Sequence, residues 1–484
     1  MDDTDIEFEP GPWGYRAQAA HTFRNIVGYA LRRKLHLEGR HDGTTWHNWT
    51  FGERNPEATF LQPDDEAGII EAITGHESVR VVGSGHSFNA AIRADVQLSL
   101  DRYAGVIEEF DHSHLGEPPK GTTYVRVKAG MRVRDINAYL AKHERAIVAL
   151  PSHDSQSMAG VLSTDVHGTG RDVGFVSASV VGLRVIDGTG KVHDTWTGEP
   201  LFQAAIGGIG AVGVITQVSI RTVEAFRIRQ QTKRIELADA RRDCEDLLKE
   251  HAHVNFYVFP FARYTQLHLW DRVEDPKSRF GDLREFLHLA QTALTASWVG
   301  DALAKAKLLP KVIDWSLHLQ PGSDLVLDSA QAFNRTIYHM HQEIEFAVHR
   351  ERTWEVVDRL CTIYTELFGD HRMPFTLIEV RFTPHQGTES MISPASGAGP
   401  HVWFTIACSQ SGAVAEYFAA IEQYMREIGG KPHLGKWCET LTDADMRAMH
   451  GAAFEQFQQL RKLHDPNGRF ANRFTERVLG PIEP

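Results

Sequence analysis

The chain has 484 residues, of which 42% are hydrophobic and 24% are charged, a composition typical of a globular protein with more than one hydrophobic core. Its net charge of −12 argues against general nucleic-acid binding, which depends on neutralising phosphates. No apolar run approaches the ~18 residues of a transmembrane helix, no signal-peptide pattern opens the chain and the four cysteines lie far apart, so we expect a cytoplasmic protein without a transmembrane segment.

Residues 1–45 predict an N-terminal helical extension. Ile26, Val27, Ala30 and Leu31 form a partial apolar stripe, and basic residues follow at 32–34. The stripe is compatible with a helix on a membrane surface or a partner, but we favour a packed helix with a solvated basic edge.

Residues 46–225 alternate short strands with helices and place glycine-rich loops at strand ends, which predicts a mixed α/β domain. The predicted helices are 66–74 and 133–142, and the predicted strands are 79–82, 124–129, 180–186 and 214–220.

Residues 226–440 predict a second domain built on an antiparallel sheet, which makes the overall class α+β. Its predicted strands are 255–260, 264–270, 343–348, 376–383 and 402–407. A helical insert near 278–340 could cap a pocket, form an oligomer interface or touch a membrane. Residues 441–484 predict a helix over 443–463, a turn at 465–468 and a tail that returns to the first domain.

Three glycine-rich segments carry the strongest chemical signal: VVGSGHSF at 81–88, SMAGVLSTDVHGTG at 157–170 and IGGIGAVGVIT at 206–216. Glycines at such positions let the backbone approach a phosphate or a flat ligand. Gly208, Gly210 and Gly213 match the dinucleotide fingerprint by letter. That fingerprint requires a strand before it and a helix after it, whereas the order here is reversed, so an NAD site is not expected.

Together the three segments resemble the flavoprotein family of vanillyl-alcohol oxidase and p-cresol methylhydroxylase, and within it the sugar-1,4-lactone oxidase and alditol oxidase branch. The resemblance runs from Trp46 to the C-terminus and implies a two-part FAD-binding domain followed by a substrate domain. It also implies that His86 is bonded covalently to the flavin. The residues it assigns to FAD are Val82, Gly83, Ser84, Gly85, His86, Ser87, Ser157, Ala159, Gly160, Ser163, His167, Gly168, Gly210, Gly213, Val214 and Ile215.

The chain departs from the family pattern at Asp165, where many relatives carry a Gly-Thr-His-Gly motif and this chain has Asp-Val-His-Gly. An Asp-Ile-His-Gly version occurs in decaprenylphosphoryl-ribose oxidases, which lack a counterpart of His86. The lactone-oxidase interpretation is therefore better supported, while the substrate stays open.

Strand 376–383 places Glu379 and Arg381 on one face, opposite an apolar face. By pattern alone this pair could be a surface salt bridge, and Lys436 could be a solvated lysine. The resemblance instead makes Glu379, Arg381 and Lys436 catalytic, and it assigns Trp403, Thr405 and His433 to the substrate. A tryptophan at 403 replaces the histidine of alditol oxidase, which disfavours a simple open-chain polyol.

These residues predict an FAD-dependent enzyme that oxidises a carbinol of a sugar lactone, polyol or related carbohydrate by hydride transfer to flavin N5, with O2 as acceptor and H2O2 as product. The alternatives are a dehydrogenase that passes electrons to a quinone or protein, a decaprenylphosphoryl-ribose-oxidase-like enzyme, and a flavin-binding module without turnover. No metal site is predicted, because pairs such as His112 and His114 or His339 and His341 have no accompanying carboxylate ligand.

Overall fold

The computed structural model describes residues 38–56, 58–294, 311, 313–315, 317, 322–334, 341–368, 375–385, 388–397, 399–409 and 414–482. The helix predicted over 1–45 lies outside these residues, apart from 38–45, which hold a two-residue strand and a turn. None of the described helices combines the length and the hydropathy needed to cross a bilayer.

The described strands are β1 (Arg40–His41), β2 (Thr45–His47), β3 (Arg54–Pro56), β4 (Thr59–Leu61), β5 (Val79–Val82), β6 (Val96–Ser99), β7 (Ala104–Ile107), β8 (Thr122–Ala129), β9 (Arg145–Ala146), β10 (Val180–Ile186), β11 (Val192–Trp196), β12 (Val214–Glu224), β13 (Arg227–Glu236), β14 (His253–Val258), β15 (Tyr264–Val273), β16 (Ser323–Asp328), β17 (His341–His349), β18 (Thr376–Thr383), β19 (His401–Ser409) and β20 (Lys431–Pro432). The described α-helices are α1 (Glu66–Thr74), α2 (Val133–Lys142), α3 (Met158–Ser163), α4 (Pro200–Ala205), α5 (Leu237–Glu250), α6 (Gly281–Leu294), α7 (Ser329–Phe333), α8 (Thr353–Phe368), α9 (Val414–Glu427), α10 (Asp443–His450), α11 (Ala452–His464) and α12 (Arg473–Leu479).

The first part of the chain folds around two sheets that share one hydrophobic core. Strands β4, β6 and β5 form a small parallel sheet, and β11, β10, β12, β8 and β7 form an antiparallel one. The core also takes in side chains of α10, α11 and α12, so the C-terminal segment packs against this first part. Arg80 fixes the contact, because its guanidinium donates to the carbonyl of Phe470 at 2.9 Å.

The second part is an eight-stranded antiparallel sheet in the order β16, β13, β15, β14, β18, β19, β17 and β20. Helices α5, α8 and α9 cover one face, and their apolar side chains form a second core with alternate residues of the strands. In β18 the residues Thr376, Ile378, Val380 and Phe382 all point into the buried side, as the alternation predicts. The predicted α+β class, with a mixed first part and an antiparallel second part, is confirmed.

Most predicted elements are present, and α1, β5, α2, β10 and β18 have the predicted bounds. Two predictions are wrong. The helix expected over 443–463 is two helices, because Gly451 adopts a φ of +52° between α10 and α11. The insert expected to be helical over 278–340 contains strand β16, which pairs with β13 from Arg227 to Thr232. The rest of the insert falls partly outside the described residues.

Candidate active site

The loop that follows β5 is shaped by glycine. Gly85 has a φ of +71°, and a Cβ there would lie 2.8 Å from the Cα of Gly39; a Cβ on Gly83 would lie 2.7 Å from the Oγ of Ser157. The backbone N–H groups of Ser84 and Gly85 have no acceptor among the described residues. A loop with open N–H groups and no side-chain bulk fits the phosphates of a bound cofactor.

The second and third glycine segments pack beside this loop. The hydroxyl of Ser157 caps α3 by accepting from the Gly160 N–H at 3.3 Å. Gly210 and Gly213 have φ values of +71° and +145° and lead into β12, so the order is helix, glycines, strand, as predicted. The buried side chain of Arg80 donates to the carbonyl of Ile209 at 2.5 Å and so ties the third segment to β5.

These segments and the large antiparallel sheet together line a common cavity that is open to solvent. Residues of both parts of the chain therefore face the same space. The predicted residues that line the cavity are Val82, Gly83, Ser84, Gly85, His86, Ser87, Ser157, Ala159, Gly160, Ser163, His167, Gly210, Gly213, Val214, Ile215, Glu379, Arg381, Thr405, His433 and Lys436.

Two predicted residues do not line the wall. Gly168 follows His167 and accepts a hydrogen bond from the ring Nδ1 of that histidine at 2.8 Å. Trp403 is fully buried one layer behind, with its ring stacked 3.7 Å from the ring of His167 and its Nε1 donating to Thr383. Trp403 shares a face of β19 with Thr405, but the stacked ring of His167 covers the indole, so the structure places Trp403 as the support of His167.

Arg381 is held by a buried network centred on Glu345. Its guanidinium is paired with the Glu345 carboxylate, donates to the Thr405 hydroxyl at 2.8 Å and donates to the His167 carbonyl at 3.3 Å. Burial alone would raise the pKa of Glu345, but Arg381 and His167 hold the pKa well below its usual range. The Nε of Arg381 is 3.9 Å from Glu379, so Glu345, and not Glu379, orients the guanidinium.

Lys436 is held in the same way by a second buried acid, Glu343. The lysine Nζ is paired with one carboxylate oxygen, and the other oxygen contacts the Nε2 of His341 at 2.8 Å. Burial opposes ionisation of Glu343, yet Lys436 and His341 keep the pKa of this carboxyl well below its usual range. The loop of Lys436 is fixed to the glycine loop, because the Asn89 side chain donates to the Lys436 carbonyl at 2.7 Å.

Three imidazoles in the cavity wall, those of His153, His167 and His433, have lowered pKa values. Burial lowers the pKa of His433 to about 3 and that of His153 to about 3. Burial also lowers the pKa of His167, and the nearby Arg381 charge adds to this effect. Since the Nδ1 of His433 accepts from the Gly435 N–H at 3.1 Å, the neutral ring carries its proton on Nε2 and is a hydrogen-bond donor.

The ring of His86 is positioned by Ser155, whose hydroxyl lies 2.8 Å from Nε2. The ring also stacks on Trp49, with 5.8 Å between centroids and 25° between planes. Asp165, the departure from the family pattern, does not line the cavity. It is fully buried, accepts from the Ser177 hydroxyl at 2.7 Å and has a φ of +49°; burial raises its pKa.

The two acids that hold the cations, Glu343 and Glu345, were not predicted from the sequence. The signal was the alternation of β17, which places both carboxylates on one face and Ile344, Phe346 and Val348 on the other. The register of the sheet then aligns Glu345, Thr405 and Glu379 across β17, β19 and β18. At the end of the cavity beside the large sheet, Arg381 and Lys436 carry two positive charges and Glu343, Glu345 and Glu379 carry three negative ones, for a formal charge of −1.

The chain matches the models of two known protein families. The model of the family described as D-arabinono-1,4-lactone oxidase matches residues 218–478, which is more than half of the chain, and a model of an FAD-binding domain matches residues 58–195. The chain belongs to the D-arabinono-1,4-lactone oxidase family. It is an FAD-dependent oxidoreductase of the sugar-lactone oxidase and dehydrogenase group, as the resemblance predicted.

Similar proteins of known name match over most of their length. An L-gulono-1,4-lactone dehydrogenase of Mycobacterium tuberculosis is 27% identical over 444 residues, which cover 90% of this chain and 99% of the relative. The L-gulonolactone oxidase of Bos taurus is 24% identical, covering 90% of this chain and 98% of the relative. The crystal structure of the Brevibacterium sterolicum cholesterol oxidase has the same fold, with a TM-score of 0.70, 16% identity and coverage of 90% of this chain and 96% of that one.

The residues present fit FAD. The glycine loop offers open N–H groups for the diphosphate, and the wall beside it is formed by small residues such as Ala159 and Gly160. The cavity continues from there to Arg381 of β18 and to Lys436, so the glycine loop and the two paired cations line the same cavity.

Proposed function

We propose that the enzyme oxidises a carbinol of a sugar lactone, with residues 46–225 holding FAD and residues 226–440 holding the substrate. One observation carries this proposal: the glycine loop that fits the cofactor and the Arg381–Glu345 and Lys436–Glu343 pairs open into the same cavity. When bound, FAD supplies the two-electron chemistry by accepting the hydride of the oxidised carbon at N5.

The charge balance of the wall supports a neutral, hydroxyl-rich substrate. Each cation already has a buried carboxylate partner, so the site does not offer an uncompensated positive charge to an anionic substrate. A lactone fits this wall better than the open-chain acid that its hydrolysis yields. The test compares kcat/KM for one lactone with that for its hydrolysed acid at pH 7, and a preference for the acid would contradict the proposal.

We assign different roles to the three predicted catalytic residues. Glu379 accepts the hydrogen bond, and then the proton, of the reacting hydroxyl; its Oε1 is fixed by the Asn255 amide at 2.5 Å. Arg381 and Lys436 stabilise negative charge that develops on the substrate oxygen. His433 and Thr405 supply hydrogen bonds to the remaining hydroxyls, and His433 acts as a neutral donor.

We further propose that a ring nitrogen of His86 is bonded covalently to the 8α-methyl carbon of the flavin; the bond would replace one methyl C–H and one imidazole N–H, and the two electrons released would pass through the flavin to O2. The support is its place on the cofactor loop and the fixing of its ring by Ser155 and Trp49. Acid precipitation of the purified yellow protein tests this: colour in the pellet is expected for the wild type and colour in the supernatant for His86→Ala. Colour in the wild-type supernatant would contradict the bond and leave FAD bound without it.

O2 is the proposed electron acceptor, with H2O2 as product. A second candidate is a dehydrogenase that uses a quinone or protein acceptor, and the name of the Mycobacterium tuberculosis relative favours it. Oxygen consumption with stoichiometric peroxide during lactone turnover supports the oxidase. Turnover only with an added dye or quinone supports the dehydrogenase, and a flavin that no lactone or polyol reduces would contradict both.

A further inference from the structure

A cluster of metal-binding type lies outside the active site, where the β10–β11 hairpin meets the end of α11. Asp187 directly follows β10, His193 lies in β11 and His464 is the last residue of α11. One possible ligand atom from each residue falls within 4.8 Å of the other two. Within the part of the chain that the structure describes, this is the group of three that meets this criterion.

The carboxylate of Asp187 is already oriented. Its Oδ1 accepts three hydrogen bonds from the hairpin turn: from the Thr189 N–H at 2.9 Å, the Thr189 hydroxyl at 2.6 Å and the Lys191 N–H at 3.0 Å. Its Oδ2 faces the two imidazoles, 2.6 Å from the Nε2 of His193. Carboxylates that bind metals are commonly oriented by hydrogen bonds to neighbouring groups. Asp187 has this arrangement, because Oδ1 is held by the turn and Oδ2 faces the imidazoles.

His464 supplies an independent observation. Its side chain is 91% buried, and its Nδ1 has no hydrogen-bond partner among the described residues. This nitrogen lies 3.6 Å from Asp187 Oδ2, which is beyond hydrogen-bond distance but close to the ~3.3 Å between ligand atoms of a tetrahedral zinc site. The rings of His193 and His464 are 4.9 Å apart and perpendicular, so they do not stack.

We propose that Asp187 Oδ2, His193 Nε2 and His464 Nδ1 bind a divalent transition-metal cation of the zinc type, with water as the fourth ligand. Two imidazoles and one carboxylate suit such a cation better than Mg²⁺ or Ca²⁺, which prefer oxygen ligands. His193 moves away from Asp187 by about 0.7 Å to reach tetrahedral spacing. The ion joins the hairpin to the segment that follows α11, and Phe470 in that segment lines the FAD cavity.

The test uses the purified flavoprotein after EDTA treatment and gel filtration. Zn²⁺ is titrated against a chromophoric indicator, and bound zinc is counted by mass spectrometry after dialysis. The wild type is expected to take up one equivalent that His464→Gln and His193→Gln each lose, with affinity reduced at least ~10-fold. Zn²⁺ is also expected to raise the melting temperature of the wild type and not of these variants.

His114→Gln removes an exposed histidine outside the cluster and is the matched control, expected to keep the equivalent. If His464→Gln does not fold, His193→Gln decides, because His193 is only half-buried in the hairpin. Equal zinc uptake by the wild type and both cluster variants, or uptake of less than one equivalent by the wild type at micromolar Zn²⁺, would overturn the proposal.

Discussion

Replacing Glu345 with glutamine tests the buried network that holds Arg381. Glu345 is 1% exposed, and its carboxylate serves the Arg381 guanidinium, the Thr405 hydroxyl and the Nε2 of His167. The variant keeps the shape of the side chain but removes the carboxylate that contacts the buried arginine directly, and leaves only the more distant Glu379, 3.9 Å from the Arg381 Nε. Removing one member of a buried pair costs about 3–5 kcal/mol of the free energy of unfolding.

The assay is urea unfolding of the flavoprotein at pH 7, followed by tryptophan fluorescence. A double variant, Glu345→Leu with Arg381→Met, separates loss of charge balance from loss of packing. Because it removes both charges, it is expected to be more stable than Glu345→Gln alone. Asp243→Asn, which alters an exposed ion pair with Arg242, is the control and is expected to leave the urea midpoint unchanged.

A loss below about 1 kcal/mol in Glu345→Gln would refute the reasoning, because removing one member of a buried ion pair is strongly destabilising. A double variant less stable than the single one would also refute it. The pH dependence gives a further check. The pKa of Glu345 is lower in the folded protein than its unfolded value of ~4.3, so its contribution is present above that pH and lost below it. The acid slope should therefore be shallower in Glu345→Gln.

Three further predictions concern the cavity. Lys436→Met should lower kcat by about 10²–10³-fold with the flavin content unchanged, and a loss under tenfold in steady-state assays would contradict the assigned role. His433 is neutral because burial lowers its pKa to about 3, so wild-type stability falls as pH drops from ~6.5 towards that value; His433→Asn should flatten the melting temperature between pH 7 and 5. Gly83→Ala places a Cβ 2.7 Å from Ser157 Oγ and should lower the FAD-to-protein absorbance ratio, whereas an unchanged ratio would show that the loop can adapt.

Local patterns in the sequence determined the elements and the cofactor loop. Helices α1 and α2 and strands β5 and β18 follow from hydrophobic periodicity and end signals such as Asp65, whose carboxylate caps α1 by accepting from the Gly68 N–H at 2.8 Å. The order of helix, glycines and strand around Gly210 excluded an NAD fingerprint. These features are local, so neighbouring residues specify them.

The break at Gly451 in the predicted C-terminal helix shows the limit of such patterns. The periodicity of 443–463 continues across Gly451, and only the packed structure places that glycine at a positive φ between α10 and α11. Likewise, β16 forms inside a stretch with helical composition, because β13 offers it an open edge.

Only the tertiary structure decided which groups hold the cations Arg381 and Lys436. Glu345 lies 36 residues from Arg381 in the chain, and Glu343 lies 93 residues from Lys436. The strand register of the antiparallel sheet helps to bring these partners into contact. The tertiary structure also stacks Trp403 on His167, and it brings Asp187, His193 and His464 close together. A sequence states which residues can pair their charges, but their burial, which penalises each charge alone and strengthens the attraction between them, exists only in the folded protein.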